Sequence, residues 1–237
     1  MTDEAQQGFY GQEQRATPKS DIATFQFICT QLINKLATVM LVQVKAVSNS
    51  GDVSPVGTVS VLPLVNQLSG DGKATPHATI VNVPYMRIQG GTNAIILDPQ
   101  VGDIGLCAFA MRDISAVKSS KAQANPGSLR KYDWADGLYL GGFLNGTPEQ
   151  FVQFNDDGVT IVSPTKISLQ APDVEIVAEN GVAISAADVD ITADSSIAIG
   201  SPDNTISGGN TKIDGKTFLT HAHSGVQSGG SNTGPVS

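Results

Sequence analysis

Between Val159 and Ile213 the chain repeats a short motif: an apolar residue, a polar or small one, a second apolar residue, and then a break of Pro, Asp, Asn, Ser or Gly. The apolar pairs are Val159/Ile161, Ile167/Leu169, Val174/Ile176, Val182/Ile184, Val189/Ile191 and Ile197/Ile199, and their starts advance by 8, 7, 8, 7 and 8 residues. Residues at i and i+2 lie on one face of a strand. Each pair therefore predicts a very short strand with one dry face, while Thr160, Ser168, Glu175, Ala183, Asp190 and Ala198 face water. A helix is excluded, because apolar residues at 3.6 spacing are missing and Pro164, Pro172 and Pro202 interrupt the run.

A β-helix wound from one chain needs about three strands per turn, and no unit here is marked as a corner. Equivalent strands close most simply as a prism in which three identical chains each supply one side per level. Two apolar side chains on a strand cannot bury themselves, so the pattern predicts an intertwined trimeric β-helix shaft with a dry interior on the threefold axis. At ~4.8 Å per level, roughly eight levels make a shaft on the order of 40 Å long. The apolar positions change parity at every second unit, so the turns must absorb one residue alternately.

Ahead of the repeat the periodicities differ. Residues 1–19 are rich in Gln, Gly and charge and read as a flexible arm. From Ser20 or Asp21, either of which can cap a helix, Ile22, Phe25, Ile28, Leu32, Ile33 and Leu36 recur at helical spacing and predict an amphipathic packing helix to about Ala37. Residues 39–47, 57–62, 79–83 and 105–109 are β-rich runs separated by Asn/Ser/Gly-type turns. Five or so strands in this space suit an OB-type barrel. Residues 116–131 form a polar loop, after which 132–143 returns to strand. Trp134, Tyr139 and Phe143 there are read as core or chain-to-chain contacts rather than a ligand platform. Phe151 and Phe154 lead into the repeat.

Charge divides the chain. Residues 1–145 carry 11 basic and 11 acidic side chains, whereas 146–237 carry 3 and 11, so the whole net charge of −8 sits on the repeat half. That argues against nucleic acid as a partner, since Lys and Arg on phosphate dominate such binding. The barrel's Tyr85, Phe109, Lys45, Lys73, Arg87 and Arg112 form no basic cluster. Acids on outward strand faces serve solubility. Cys29 and Cys107 stand far apart, which signals neither a disulfide framework nor a thiolate metal site. Without a signal-peptide pattern or a run of 18 apolar residues, action on a membrane is expected to be other than that of an integral protein.

Past Ile213 the alternation stops. His221 and His223 stand at i and i+2 in a Gly/Ser-rich stretch, and in a strand both imidazoles point to one side. A His-x-His in such a tail is by itself more often solvated. At the end of a threefold shaft, however, three chains supply six nitrogens, enough for one octahedral ion. Zinc prefers four ligands, so the set leans toward iron or another octahedral transition metal. His77, alone after Pro76, has no assigned role.

With these residues on the page, the chain resembles the central spike proteins of contractile-tailed phages, the baseplate-assembly protein V and membrane-piercing spike family. The resemblance rests on Gly57-Thr-Val-Ser-Val-Leu-Pro-Leu-Val-Asn66, on residues 99–114, and on the terminal Thr220-His-Ala-His-Ser-Gly-Val226 followed by Thr233-Gly-Pro235. It covers most of the chain from about residue 20. It implies a homotrimer at the distal end of the tail, in the virion's baseplate, with OB domains docked on the hub and tail tube proteins. The needle meets the host outer membrane mechanically, and His221 and His223 bind one iron ion per trimer. The expected layout is an arm at 1–19, helix plus OB domain at 20–145, shaft at 146–215 and tip at 216–237. The space between Phe143 and Val159 admits no inserted lysozyme domain, so no enzymatic activity is expected. Two alternatives remain. One is a trimeric tailspike depolymerase using acids such as Asp156, Asp157, Asp173, Glu175, Asp188 and Asp190, although glycoside cleavage needs a groove with two carboxylates at a suitable separation. The other is the equivalent needle of a tailocin or type VI secretion system.

Overall fold

A computed structural model describes residues 20–49, 51–69, 73–207 and 211–217; the expected arm at 1–19 and the tip from residue 218 onward lie outside the described residues. The protein is mainly β with few helices. It divides into two units, one through Ser168 and one from Leu169.

The first unit is built on five strands, β1 (Val39–Val47), β2 (Thr58–Pro63), β3 (Ile80–Pro84), β4 (Ile104–Phe109) and β5 (Gly137–Gly142). Their order in the sheet is β3-β2-β1-β4-β5, every neighbour antiparallel. The first four begin within one residue of the β-rich runs in the sequence. In β2 and β4 burial alternates strictly, with Val59, Val61, Cys107 and Phe109 turned inward. Period-two patterning has thus chosen the register, because a slip by one residue would turn these side chains to water.

Three of the pairings carry a register shift, between Val44 and Ala46, between Val59 and Val61, and between Leu106 and Cys107. An extra residue bends a strand and increases its twist. The sheet accordingly curls into a half-barrel until its outermost strands touch. Tyr85, just past β3, forms a parallel bridge with Tyr139 of β5, and the Met86 N–H donates to the Tyr139 carbonyl at 2.8 Å.

Inside lie Val42, Val44, Val59, Val61 and Val83, all essentially inaccessible, together with Ala37, Tyr85, Cys107, Phe109 and Tyr139. Valine serves both demands here: its β-branch suits the strand, and its burial contributes on the order of 1.5–3 kcal/mol per side chain. The Tyr139 ring is accommodated because residue 105 is Gly; a Cβ there would collide with the phenol oxygen. That hydroxyl is buried and has no hydrogen-bond partner among the described residues.

Helix α1 (Asp21–Asn34) starts at Ser20, whose carbonyl accepts from the Thr24 N–H at 3.0 Å, while its side chain makes no capping bond. It ends before Ala37 because the Ala37 N–H is taken by the Tyr132 carbonyl at 3.0 Å and Ala37 itself enters the core. None of its residues is buried. The stripe Ile22, Phe25, Ile28, Leu32, Ile33, Leu36 is exposed, with no cover among the described residues. The packing expected for α1 is not seen among the described residues. Among the described residues, no helix is long and apolar enough to cross a membrane.

Phe151 and Phe154 belong to β6 (Phe151–Asn155), which pairs only with β7 (Gly158–Val162), so the first repeat unit, Val159/Ile161, lies in an antiparallel hairpin. Gly158 adopts φ +122°, a conformation that favours glycine, at the exit of the Asp156–Asp157 turn. Between Val162 and Lys212 the described residues form neither strand nor helix. The short shaft strands expected there from the sequence do not form within the single chain, and no β-helix is present among the described residues. A last hairpin pairs Lys212–Ile213 with Lys216–Thr217 across Asp214 and Gly215, both at positive φ as a two-residue primed turn requires.

Because the Tyr139 hydroxyl is buried without a partner among the described residues, Tyr139→Phe is expected to stabilise the barrel by ~1 kcal/mol. Chemical denaturation of the two proteins would measure this, and a clear loss of stability would mean that the hydroxyl is paired after all.

Candidate functional site

The feature with most unmet chemistry is the repeat. Ile167, Val174, Val182, Val189 and Ile197, the first members of their pairs, are 54–58% exposed, and their second members Leu169, Ile176, Ile184, Ile191 and Ile199 are 65–75% exposed. Side-chain exposure in an unpacked chain is set by local backbone. The first members thus share one narrow range of exposure and the second members a higher one, pair after pair. Irregular loops beyond about 12–15 residues are uncommon in compact domains. Low-hydrophobicity disorder does not fit either, given regularly spaced pairs of Val, Ile and Leu. Soluble monomers seldom expose apolar patches beyond roughly a few hundred Å², and this row of pairs is left open among the described residues.

The acids considered for glycan cleavage, Asp156, Asp157, Asp173, Glu175, Asp188 and Asp190, are all exposed. Asp156 and Asp157 occupy the turn between β6 and β7. No group of three or more His, Cys, Asp or Glu side chains that could hold a metal occurs among the described residues. The candidate ligands His221 and His223 lie outside them.

The barrel's candidate nucleic-acid residues are otherwise engaged. Tyr85 and Phe109 are core. Arg87 is buried and grips Asp98, donating from Nη2 to both carboxylate oxygens at 2.7 and 2.8 Å and from Nε at 3.1 Å, while Nη1 donates to the Ser54 carbonyl at 2.6 Å. The bond to Asp98 raises the Arg87 pKa. Residues 86–98 are thereby stapled at their base.

Of the aromatic stretch, Tyr139 is core, Phe143 is half-exposed, and Trp134 stands edge-on to Phe109 with ring centroids 5.1 Å apart. His77, which the sequence left without a role, lies tilted against Trp134, ring centroids 4.8 Å apart and planes at 50°. A shallow cleft of about 410 Å³ lies beside them, lined by His77, Thr79, Asp133 and Trp134 among others. Trp134 packs against the barrel core, and the Asp133 carboxylate accepts from the Ala135 N–H.

One constellation was invisible in the sequence. The segment after β4, with helix α2 (Ser115–Ser120), reads as a polar loop, yet Arg130 pins it to the barrel. Its Nε donates to Asp136 Oδ2 at 2.7 Å, and its Nη2 to Asp136 Oδ1 at 2.9 Å and Asp113 Oδ1 at 2.7 Å. The Ser128 hydroxyl donates to Asp113 Oδ2 at 2.7 Å, the Ser115 N–H to Asp113 Oδ1 at 2.8 Å, and the Ile114 N–H to Asp136 Oδ1 at 3.0 Å. Bonds from Ser115, first from its hydroxyl and then from its N–H, hold Asp113 down at about 2 against an ordinary 3.8, with Ser128 and Arg130 adding to the effect. Asp136 is lowered chiefly by Arg130. No spacing rule links Asp113 to Arg130. With every acceptor spoken for, the cluster is a clamp rather than a reaction centre.

Compared with family models and with curated proteins, the sequence matches none.

A carboxylate whose folded pKa is depressed stabilises the fold above its unfolded pKa and loses that contribution as pH falls toward the folded value. For Asp113 the window runs from about pH 4 down to about 2. The melting temperature is expected to fall across that window, and Asp113→Asn should lower it at neutral pH while flattening the fall. A variant with the parent's pH profile would show that the clamp does not hold the loop.

Proposed function

We propose that the chain is a non-enzymatic structural subunit, the central spike of a contractile phage tail baseplate, acting as a homotrimer. Its OB domain docks on the hub and tube proteins, its repeat forms an intertwined trimeric β-helix, and contraction drives the needle through the host outer membrane. The observation that carries this reading is the row of regularly spaced, uniformly exposed apolar pairs from Ile167 to Ile199, which one chain leaves uncovered and unpaired. A second support is the strand order of the barrel. The curled half-barrel with neighbours β3-β2-β1-β4-β5 and a parallel contact between Tyr85 and Tyr139 is compatible with the OB-type barrel of this reading.

The mechanism asks for stiffness, and the residues supply it when three chains combine. From Ile167 to Ile199 the described backbone forms no strand ladder within one chain; neighbouring chains would provide the complementary edges, so that the hydrogen-bond ladder runs along the axis. The apolar pairs turn inward and exclude water. Outward acids such as Glu175 and Asp190 blunt the strand edges against further association. At the tip, His221 and His223 of each chain would hold one iron ion per trimer. The ion supplies a crosslink among three chain ends where packing is thinnest.

The test is mass determination together with metal analysis on the purified full chain. A trimer with one equivalent of iron is expected, with the iron lost and the trimer kept in His221→Ala/His223→Ala. A metal-free monomer would refute both trimer and tip. Release of reducing ends from host polysaccharide would refute the non-enzymatic part.

A further inference from the structure

The repeat has a register problem. Its units advance by 8 and then 7 residues, so Val159/Ile161 and Val174/Ile176 are 15 residues apart, as are Ile167/Leu169 and Val182/Ile184, Val174/Ile176 and Val189/Ile191, and Val182/Ile184 and Ile197/Ile199. A chain slipped by 15 residues against its neighbours would place Val, Ile or Leu on Val, Ile or Leu at each overlapping level. Where pairing is specified only by which face is dry, such slips cost little. The row can hold three chains together but cannot align them.

The hairpin β6–β7 breaks this degeneracy. Its pairing sets Val152 opposite Ile161 and Phe154 opposite Val159. Directly opposed residues share a face of the pair, and these two couples are adjacent on the same face. All four side chains are exposed, at 57–76%. The other face carries Gln153 opposite Thr160 and Asn155 opposite Gly158 at the turn end, with one apolar couple, Phe151 opposite Val162, at the open end, where both are less exposed than the first four. An isolated two-stranded hairpin is at best marginally stable in water, and this one pairs with no other strand of its own chain. Its dry face is continuous in sequence with the repeat, since Val159 and Ile161 are the first repeat unit. It is also unique: from residue 155 to 217 there is no Phe, Tyr or Trp, so Phe154 has no counterpart under a 15-residue slip.

Resting on the trimeric reading above, we propose that the β6–β7 face docks on the same face of two further copies of this chain, forming a collar that sets the register of the repeat. The occupant follows from the surface itself. An uncharged, self-complementary face that adjoins a row needing two more copies is covered by those copies at no extra cost in partners. Chains that meet first at the collar enter the repeat in one alignment, and slipped alignments leave Phe154, Val152, Val159 and Ile161 in water.

The experiment uses the full chain with Cys29→Ser and Ala198→Cys, a nitroxide label at residue 198, and inter-label distances from pulsed electron resonance. Mass is measured in parallel, and the emission of Trp134, the only Trp in the chain, reports an intact barrel. The parent is expected to be a trimer with one narrow distance. Phe154→Ser/Val159→Ser should lose the trimer or spread the label over several distances, with Trp134 emission unchanged. Two controls should keep the single distance: Gln153→Ser/Thr160→Ser on the opposite face, and Val182→Ser/Ile184→Ser within the repeat. A trimeric parent whose Phe154→Ser/Val159→Ser variant retains that single distance overturns the collar alone and leaves the face for a different partner. A monomeric parent overturns the trimer and the collar together.

Discussion

A strand with two apolar side chains cannot bury them by itself, and everything distinctive about this protein follows from how its two units meet that constraint. In the barrel, strands find their neighbours within the same chain, and three register shifts bend the sheet until Tyr85 meets Tyr139. In the repeat beyond Val159/Ile161 no such neighbour occurs among the described residues. The pairs from Ile167 to Ile199 stay open to solvent. An uncovered row offsets none of the ~1–2 kcal/mol of backbone entropy per ordered residue, which is the physical ground of the trimeric proposal.

The polar interactions follow the same division. Arg87 and Asp98 are both nearly inaccessible and satisfied bidentately, and Arg130 joins Asp113 to Asp136. Buried ion pairs contribute little net stability over apolar packing, but they penalise alternative arrangements strongly. Here they hold the segments at 86–98 and 113–136 in single conformations against the barrel. The repeat has only local bonds, such as the Asp203 N–H to the Ser201 hydroxyl. Its acids sit where they meet water, which suits a surface whose other side is meant to be dry.

Much of the barrel was legible, because period-two patterning and β-branched composition encode strands locally. β1, β2, β3 and β4 lie within a residue of their sequence runs, and the aromatic assignment held for Tyr139 as core. The misses share a cause. Helix α1 stops at Asn34 rather than near Ala37 because a carbonyl at Tyr132, far along the chain, claims the Ala37 amide. The Arg130 clamp and the His77–Trp134 contact likewise join residues with no characteristic spacing. The β6–β7 hairpin could have been noticed from Phe151, Phe154 and the Asn155-Asp-Asp-Gly158 turn, which read as a hairpin signal once Val159/Ile161 is allowed to pair backward.

By itself the amino-acid sequence determined where strands can form, which of their faces is dry, the separation of charge between the two halves, and the 8/7 rhythm of the repeat. These are local properties, written in alternation and composition. Only the tertiary structure decided that the barrel's sheet closes on itself through a parallel contact, that Gly105 makes room for the Tyr139 ring, and that residues 17 apart lock a polar loop in place. Closure and clamping depend on curvature accumulated over several strands, which no single stretch of sequence contains. The tertiary structure also decided that the pairs from Ile167 to Ile199 find no cover among the described residues, because hydrophobic burial depends on what lies opposite a surface and not on the surface alone.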